Sequence, residues 1–438
     1  MNKLGTTVKW FYPGMRIKRW IALSLIGLLV AQLGISALTH GKTLDMLVIS
    51  NRIVRALPLA KHSPIYSVLV SSPMGIGLIL LGILLVLFAA YEIASSITGA
   101  ISPSGGAHLV NAIFERRMLA AGPEIVVIGG GTGLSTLLRG LKRYSSNITA
   151  VVTVADDGGS SGRLRRELDI PAPGDIRNCL MALADAEPTM SQLFQHRFRH
   201  GQNGEGLRDH AFGNLLIAAM AEINGGDFEK AVRETSRVLN IRGRVLPSTK
   251  ALVQLKAEMG DGSLITGETA IATSPLKIRR IGLEPPNAEP VEEVMEAIEL
   301  ADLIVIGPGS VFTSIIPNLL VEGIAAAIHR SRAKKVYVCN VMTQPGETDH
   351  YTASEHVKAI QRHVHYRIFD YVMVNTARPN KELLDKYLKS GSTLVEPDCD
   401  RMRALELRPV TGDYISQTDV VRHDPGMLAR ALIRLLGR

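Results

Sequence analysis

EIVVIGGGTGLS, Glu124 to Ser135, is the stretch that decides the fold. A short apolar, β-branched run stops at Gly129, Gly130 and Gly131 and passes into Thr132 and Gly133, which spells strand, tight loop and helix start. Glycines let the backbone adopt φ > 0 and close on a ligand. The helix expected from about Leu134 to Lys142 would aim its free N–H groups at an anion. A second strand, Ile148 to Val154, delivers ADDGGSSGRLRR, Ala155 to Arg166, with carboxylates, hydroxyls and arginines. Two polar loops at the carboxyl ends of adjacent strands predict a nucleotide site.

Outward from this stretch, residues 123 to 438 alternate between α and β patterns, which predicts an α/β fold with a mainly parallel sheet and helices on both faces. The further candidate strands are Leu303 to Ile306, Lys335 to Cys339 and Tyr371 to Val374, each followed by Gly, Asn or Asp. Between the second and third strands, a helical stretch from about Gly174 to Asn240 gives way to short strand-like pieces, Leu252 to Met259 and Leu264 to Thr266. This predicts an inserted subdomain over one edge of the site.

Upstream, Trp20 to Thr39 and Ser63 to Tyr91 carry no charge over about the length that crosses a bilayer. The expected organisation is a cytoplasmic basic tail at 1–19, a transmembrane helix at 20–39 and an exterior segment at 40–65. A second transmembrane helix at 66–91 and a linker at 92–122 complete it. A signal peptide rivals the first span, but the second argues for a retained hairpin. The basic tail, and a site that needs cytoplasmic ligands, place the large domain on the cytoplasmic side of a two-span cell-membrane protein. The net charge of +8 lies partly in membrane-flanking segments, and no nucleic-acid-reading motif accompanies it, so nucleic acid is not an expected partner. Three scattered cysteines exclude a disulfide framework or a zinc cluster.

The glycine loop departs from the dinucleotide fingerprint, whose third glycine would fall on Leu134, and it has no Walker A lysine. In the second loop, Asp156 or Asp157 could bind a ribose hydroxyl or a divalent ion, while Ser160, Ser161 and Arg163 could hold phosphate. Helix capping explains Asp175 as well as ligand contact does, and Asn178 lies in the first turn of the same helix. Asn214 beside Gly213 is a candidate polar contact. The GPGS turn, Gly307 to Ser310, with Gly309 and Thr313, repeats the opening logic and suits a diphosphate held from two sides. The loop after the next strand, Asn340 to His356, contributes Asn340 and Thr343.

VVIGGGTGLSTLLRGLK, VTVADDGGSSGRLRRELDIPAPGDIRN, FGNLL, IGPGSVFTSIIPNLL and NVMTQPGETD, in this order, closely resemble the gluconeogenesis factor family, also described as YvcK-like or CofD-like, over about Pro123 to His423. The resemblance implies a Rossmann-like domain that binds UDP-N-acetylglucosamine or UDP-glucose in a regulatory role linked to cell shape and envelope synthesis during gluconeogenic growth. A related branch is an enzyme, 2-phospho-L-lactate transferase, and remains the alternative. Carried over, Gly130, Gly131, Thr132, Gly133, Asp156, Asp157, Asn178, Asn214, Gly309 and Ser310 would surround the nucleotide, with Tyr387 and Arg422 at its base or sugar end. No cofactor is required beyond the UDP-sugar, with Mg²⁺ at Asp157 as an option. The lipid bilayer, cell-envelope synthesis proteins and further copies of the chain are the expected partners. The membrane hairpin is the departure from a family usually read as soluble.

Overall fold

Uninterrupted runs of Ile, Val and Leu make strands suited to burial on both faces, the position that parallel sheets occupy between helix layers. In the computed structural model, which describes residues 18–38, 72–101, 106–185, 188–198, 206–417 and 420–437, this is where they lie. The chain divides into two units, Met1–Glu115 and Arg116–Arg438. Most of the expected basic tail, all of the exterior segment 40–65 and residues 102–105 of the linker fall outside the described residues.

The strands of the second unit are β1 (Ile125–Gly129), β2 (Ile148–Val152), β3 (Arg244–Pro247), β4 (Gln254–Met259), β5 (Leu264–Thr266) and β6 (Ile278–Glu284). They continue with β7 (Leu303–Ile306), β8 (Lys334–Val338), β9 (Tyr371–Asn375), β10 (Arg408–Gly412), β11 (Ile415–Gln417) and β12 (Val421–His423). Seven form one parallel sheet in the order β10-β9-β8-β7-β1-β2-β3. From β1 the chain moves outward through β2 and β3, then crosses back to β7 and moves outward the other way. The order therefore reverses between β1 and β7, and in open α/β sheets such a point leaves a crevice at the carboxyl ends of the strands. Strands β1, β2 and β7 are buried along their whole length.

The expected insertion is divided. Helices from Gly174–Leu183 to Phe228–Val238 lead into β3, a short edge strand of the main sheet ending at Pro247. Only then does a separate antiparallel sheet form, in the order β5-β4-β6. The chain enters the main sheet at the amino end of β1, where Asn147 Nδ2 donates to the carbonyls of Ala120 at 3.0 Å and Gly122 at 2.9 Å. That is the end opposite the crevice.

In the first unit, helices Lys18–Leu38 and Ser72–Ile101 pack together. One helix, over Met74–Ser96, is long and apolar enough to cross a membrane; the apolar run of the other, Arg19–Ile35, is shorter. The expectation of two full spans is not met: among the described residues of this unit, one helix has the length and apolarity to cross a membrane. The second helix runs ten residues past the expected boundary at 91, to Ile101; the helix Gly106–Ala120 lies where the polar and apolar mixture before Gly122 suits a short connecting helix. ISPSGGA, Ile101 to Ala107, reads as linker by composition, and its residues 102–105 lie outside the described residues.

Helix Gly131–Leu141 packs against the last helix, Pro425–Leu435, with Gly140 at the contact. A Cβ there would lie 1.9 Å from the Pro425 carbonyl oxygen and 2.9 Å from Ala429 Cβ. Helix propensity alone would make Gly140→Ala stabilising by about 1 kcal/mol. The contact reverses the sign: chemical denaturation of Gly140→Ala should show a loss of about 2–3 kcal/mol. A gain in stability would contradict this packing.

Candidate functional site

The two glycine turns meet at the reversal point. After β1, Gly131 takes φ +65° and opens helix Gly131–Leu141; after β7, Gly307 takes φ +79° and leads through Pro308 and Gly309 to Ser310. They touch backbone to backbone. A Cβ on Gly133 would lie 2.6 Å from the Pro308 carbonyl oxygen, and one on Gly309 would lie 3.2 Å from that of Gly130. Buried Asn318 fastens the crossing by donating to the Gly129 carbonyl at 2.9 Å. Asn340, just after β8, brackets Gly309 by donating to its carbonyl at 2.8 Å and accepting from its N–H at 3.2 Å. A cavity of about 400 Å³ opens over this crossing. Its lining includes the expected Gly130, Gly131, Thr132, Gly133, Gly309, Ser310, Thr313, Asn340 and Arg422.

Helix starts leave orphan N–H groups, and here carboxylates from other elements take several of them. Asp175, half-buried at the start of helix Gly174–Leu183, accepts from the Gly131 N–H; burial pushes its carboxyl up to about 6 although that bond opposes the rise. Glu347 accepts from the Ser310 hydroxyl and the Phe312 N–H, and its burial raises it as well. The expected offering of free helix N–H groups to an anion is thus partly taken up internally at both turns.

Glu268 reaches the same cavity from the first turn of helix Glu268–Thr273. Burial first, then the carboxylates of Asp156, Asp175 and Glu347, push it up to about 9. Thr313 Oγ1 donates to Ser310 Oγ at 2.8 Å, and Ser310 Oγ donates to Glu347. A further hydrogen bond between Thr313 and Glu268 favours the charged form and opposes the rise. Buried His423 also lines the cavity and is kept neutral, pushed down to about 4 by burial against a hydrogen bond to the Cys339 carbonyl.

Other expected residues do structural work outside this lining. Asp157 turns to the start of helix Glu268–Thr273, accepting from the Thr269 hydroxyl at 2.6 Å and its N–H at 2.9 Å. Among the described residues no group of three or more His, Cys, Asp or Glu side chains is set to hold a metal ion. Asp156 accepts from the Gly158 N–H at 2.9 Å within its own loop. Ser160 sits in a buried knot with His210 Nδ1 and Asn214 Nδ2, both at 3.0 Å. Ser161 is buried against Gly174, Arg163 donates to the Arg208 carbonyl, and Asn178 accepts from Arg177 at 2.9 Å. Gly307 lies beneath the turn against the Val338 carbonyl, and Thr343 accepts from the Thr393 N–H at 2.8 Å. Tyr387 acts at one remove: its hydroxyl accepts from the Val421 N–H at 3.1 Å and so positions β12, which carries Arg422 and His423 to the cavity.

The sequence reading missed Glu268 and the cavity role of Glu347. Glu347 lies inside the quoted NVMTQPGETD loop. No local signal marks Glu268, because Asp157 holds its helix in place from far along the chain.

Residues 125–415 match the family model described as 2-phospho-L-lactate transferase CofD. A "Putative gluconeogenesis factor" from Nostoc sp. is 46% identical, with 100% of this chain and 94% of that protein aligned. The "Gluconeogenesis factor" of Bacillus subtilis is 50% identical over 72% of this chain and 98% of its own length. A crystal structure of protein BH3568 from Bacillus halodurans superposes with a TM-score of 0.69 at 50% identity, covering 71% of this chain and 99% of that one. The second unit therefore corresponds to whole proteins elsewhere, while other relatives span the first unit too. The chain belongs to the gluconeogenesis factor family and carries its CofD-like α/β domain.

Proposed function

We propose that the chain is a membrane-tethered regulatory protein that binds a nucleotide diphosphate sugar, UDP-N-acetylglucosamine or UDP-glucose. In this reading it adjusts cell shape and envelope synthesis during gluconeogenic growth. The observation that carries the binding part is the cavity formed where two glycine turns cross at the strand-order reversal, the usual place for a nucleotide in such sheets. Its 400 Å³ falls in the range of roughly 300–1,000 Å³ common for small-molecule sites. The regulatory and metabolic part rests on the names of the relatives.

The residues fit an anionic ligand despite the carboxyl groups in the wall. Glu268 is neutral at physiological pH, so it presents a hydrogen-bond donor instead of a charge. Arg422 brings a guanidinium to the same cavity. Mg²⁺, in this reading, would come with the diphosphate.

The membrane part is supported by the first unit's surface. Leu25, Leu80, Leu84, Leu87 and Phe88 are exposed, whereas Gly27, Gly34, Gly75 and Gly82 are buried in the helix contact. Large apolar groups outside and small ones at the seam is the arrangement helices adopt in lipid.

Titration calorimetry of residues 106–438 with both UDP-sugars and GDP, with and without Mg²⁺, followed by a product assay, separates a binder from a phospholactate-type transferase. Binding of a UDP-sugar without turnover is expected, and Arg422→Ala should weaken it about 10- to 100-fold through loss of a charge-assisted contact. Asp157→Ala should lower stability and leave affinity nearly unchanged.

Affinity should fall as pH rises through about 9, where Glu268 loses its proton, and Glu268→Gln should flatten that profile. The free protein carries the same sign. The unfolded chain releases this proton near 4.5, so native stability declines between about 4.5 and 9, and the Gln variant removes that decline. Deleting residues 1–105 should abolish membrane sedimentation with ligand binding intact; a truncated chain that still sediments with membranes would defeat the tether.

A further inference from the structure

The helix Gly106–Ala120 begins five residues after the helix Ser72–Ile101 ends. Its described surface is unusual for a connector. Ile113, Phe114 and Met118 are 48, 66 and 58% exposed, and at 100° per residue they fall within one 140° sector. Arg117 lies inside that sector and Arg116 beyond one edge, both exposed. At its carboxyl end Leu119 is buried and its carbonyl accepts from the Ser146 N–H at 2.9 Å.

We propose that this helix is a lipid-surface element that lies in the headgroup region of an anionic bilayer, with Ile113, Phe114 and Met118 at the acyl boundary. The proposal rests on the membrane reading of the first unit. Three observations select lipid as the occupant. A membrane-length apolar helix stands immediately upstream, so the segment is delivered to the interface. The apolar sector contains an arginine, whose aliphatic stem can lie along acyl chains while its guanidinium reaches phosphate. The adjacent Arg116 and Arg117 outnumber the one exposed carboxylate beside them, Glu115, and leave a net positive charge that matches an anionic leaflet. A protein partner burying this face would instead have to desolvate Arg117 within the apolar patch.

The test uses the full chain in nanodiscs containing phosphatidylglycerol, in a Cys399→Ser background, because Cys399 is the one partly exposed cysteine among the described residues. Nitroxide labels are placed singly through Phe114→Cys, Met118→Cys, Arg116→Cys and, in the upstream helix, Leu84→Cys. Collision with oxygen should exceed collision with a water-soluble nickel chelate severalfold at positions 114, 118 and 84, with the order reversed at 116. Discs of phosphatidylcholine alone should reduce the ratio at 114 and leave that at 84 unchanged. Nickel-accessible labels at 114 and 118 with an oxygen-accessible label at 84 would overturn this proposal alone. Nickel access at 84 as well would overturn the membrane reading on which it rests. Labels at 114 and 118 shielded from both reagents and broadened by spin–spin coupling would assign the face to a second copy of the chain, which also overturns it.

Discussion

The absence of a Cβ at Gly133 and Gly309 is the constraint on which the site depends. Strands β1 and β7 are hydrogen-bonded neighbours in strict register, Ile125 opposite Leu303 through Ile128 opposite Ile306. Their turns therefore emerge side by side and must diverge into helices on a shared crevice. Backbone has to pass against backbone there, with Gly133 on the Pro308 carbonyl and Gly309 on the Gly130 carbonyl. A side chain at Gly133 would force the turns apart, and one at Gly309 would press on the Gly130 carbonyl. The cavity is thus a consequence of sheet order and two missing methyl groups, and the polar residues around it are secondary to that geometry.

Charge is arranged by the same crossing. Two helix starts concentrate partial positive charge at one place, and carboxylates from distant segments, Asp175 and Glu347, settle on them. Burial opposes ionisation more strongly than the N–H donors favour it, so both carboxyl groups are raised. A third acid, Glu268, meets these like charges and keeps its proton. The Thr313 and Ser310 hydroxyls lie between the two acids, Thr313 bonded to Glu268 and donating to Ser310, and Ser310 donating to Glu347. Such a wall is rich in acids yet carries less negative charge than its composition suggests, which is how it can face an anion.

How much of this was legible depended on the range of the interactions involved. The apolar runs of β1, β2, β7, β8 and β9 and the glycine turns after β1 and β7 are local signals, and they gave the α/β class and the core of the cavity lining. Strand β3 was hidden because four residues ending in proline look like a loop, and β6 because Arg279 and Arg280 interrupt its apolar pattern. Within the site, Asp157 and Ser160 carried the right chemistry for ligand contact. Their partners, Thr269 at 112 positions and Asn214 at 54 positions along the chain, turn them into structural groups. Glu268 is the converse, an unremarkable acid in sequence that folding delivers to the cavity. Local spelling found the backbone of the site, and long-range pairing decided which side chains serve it.

The helix pair upstream argues the same point from the opposite direction, because its meaning lies in which residues are left outside. In water, a two-helix unit would bury its leucines and isoleucines and leave small residues at the surface. Here a Cβ on Gly34 would lie 2.6 Å from the Gly75 carbonyl oxygen, and one on Gly82 would lie 2.5 Å from that of Gly27. The helices approach so closely that glycines occupy the contact and the large side chains are displaced outward. Small residues at a close seam with large apolar groups outside is an arrangement that helices adopt in lipid. The length of the first apolar run, taken alone, falls short of a full span, but the seam binds it to a neighbour that is long enough. For these two helices, the close glycine contact and not the length of either one sets which residues face outward.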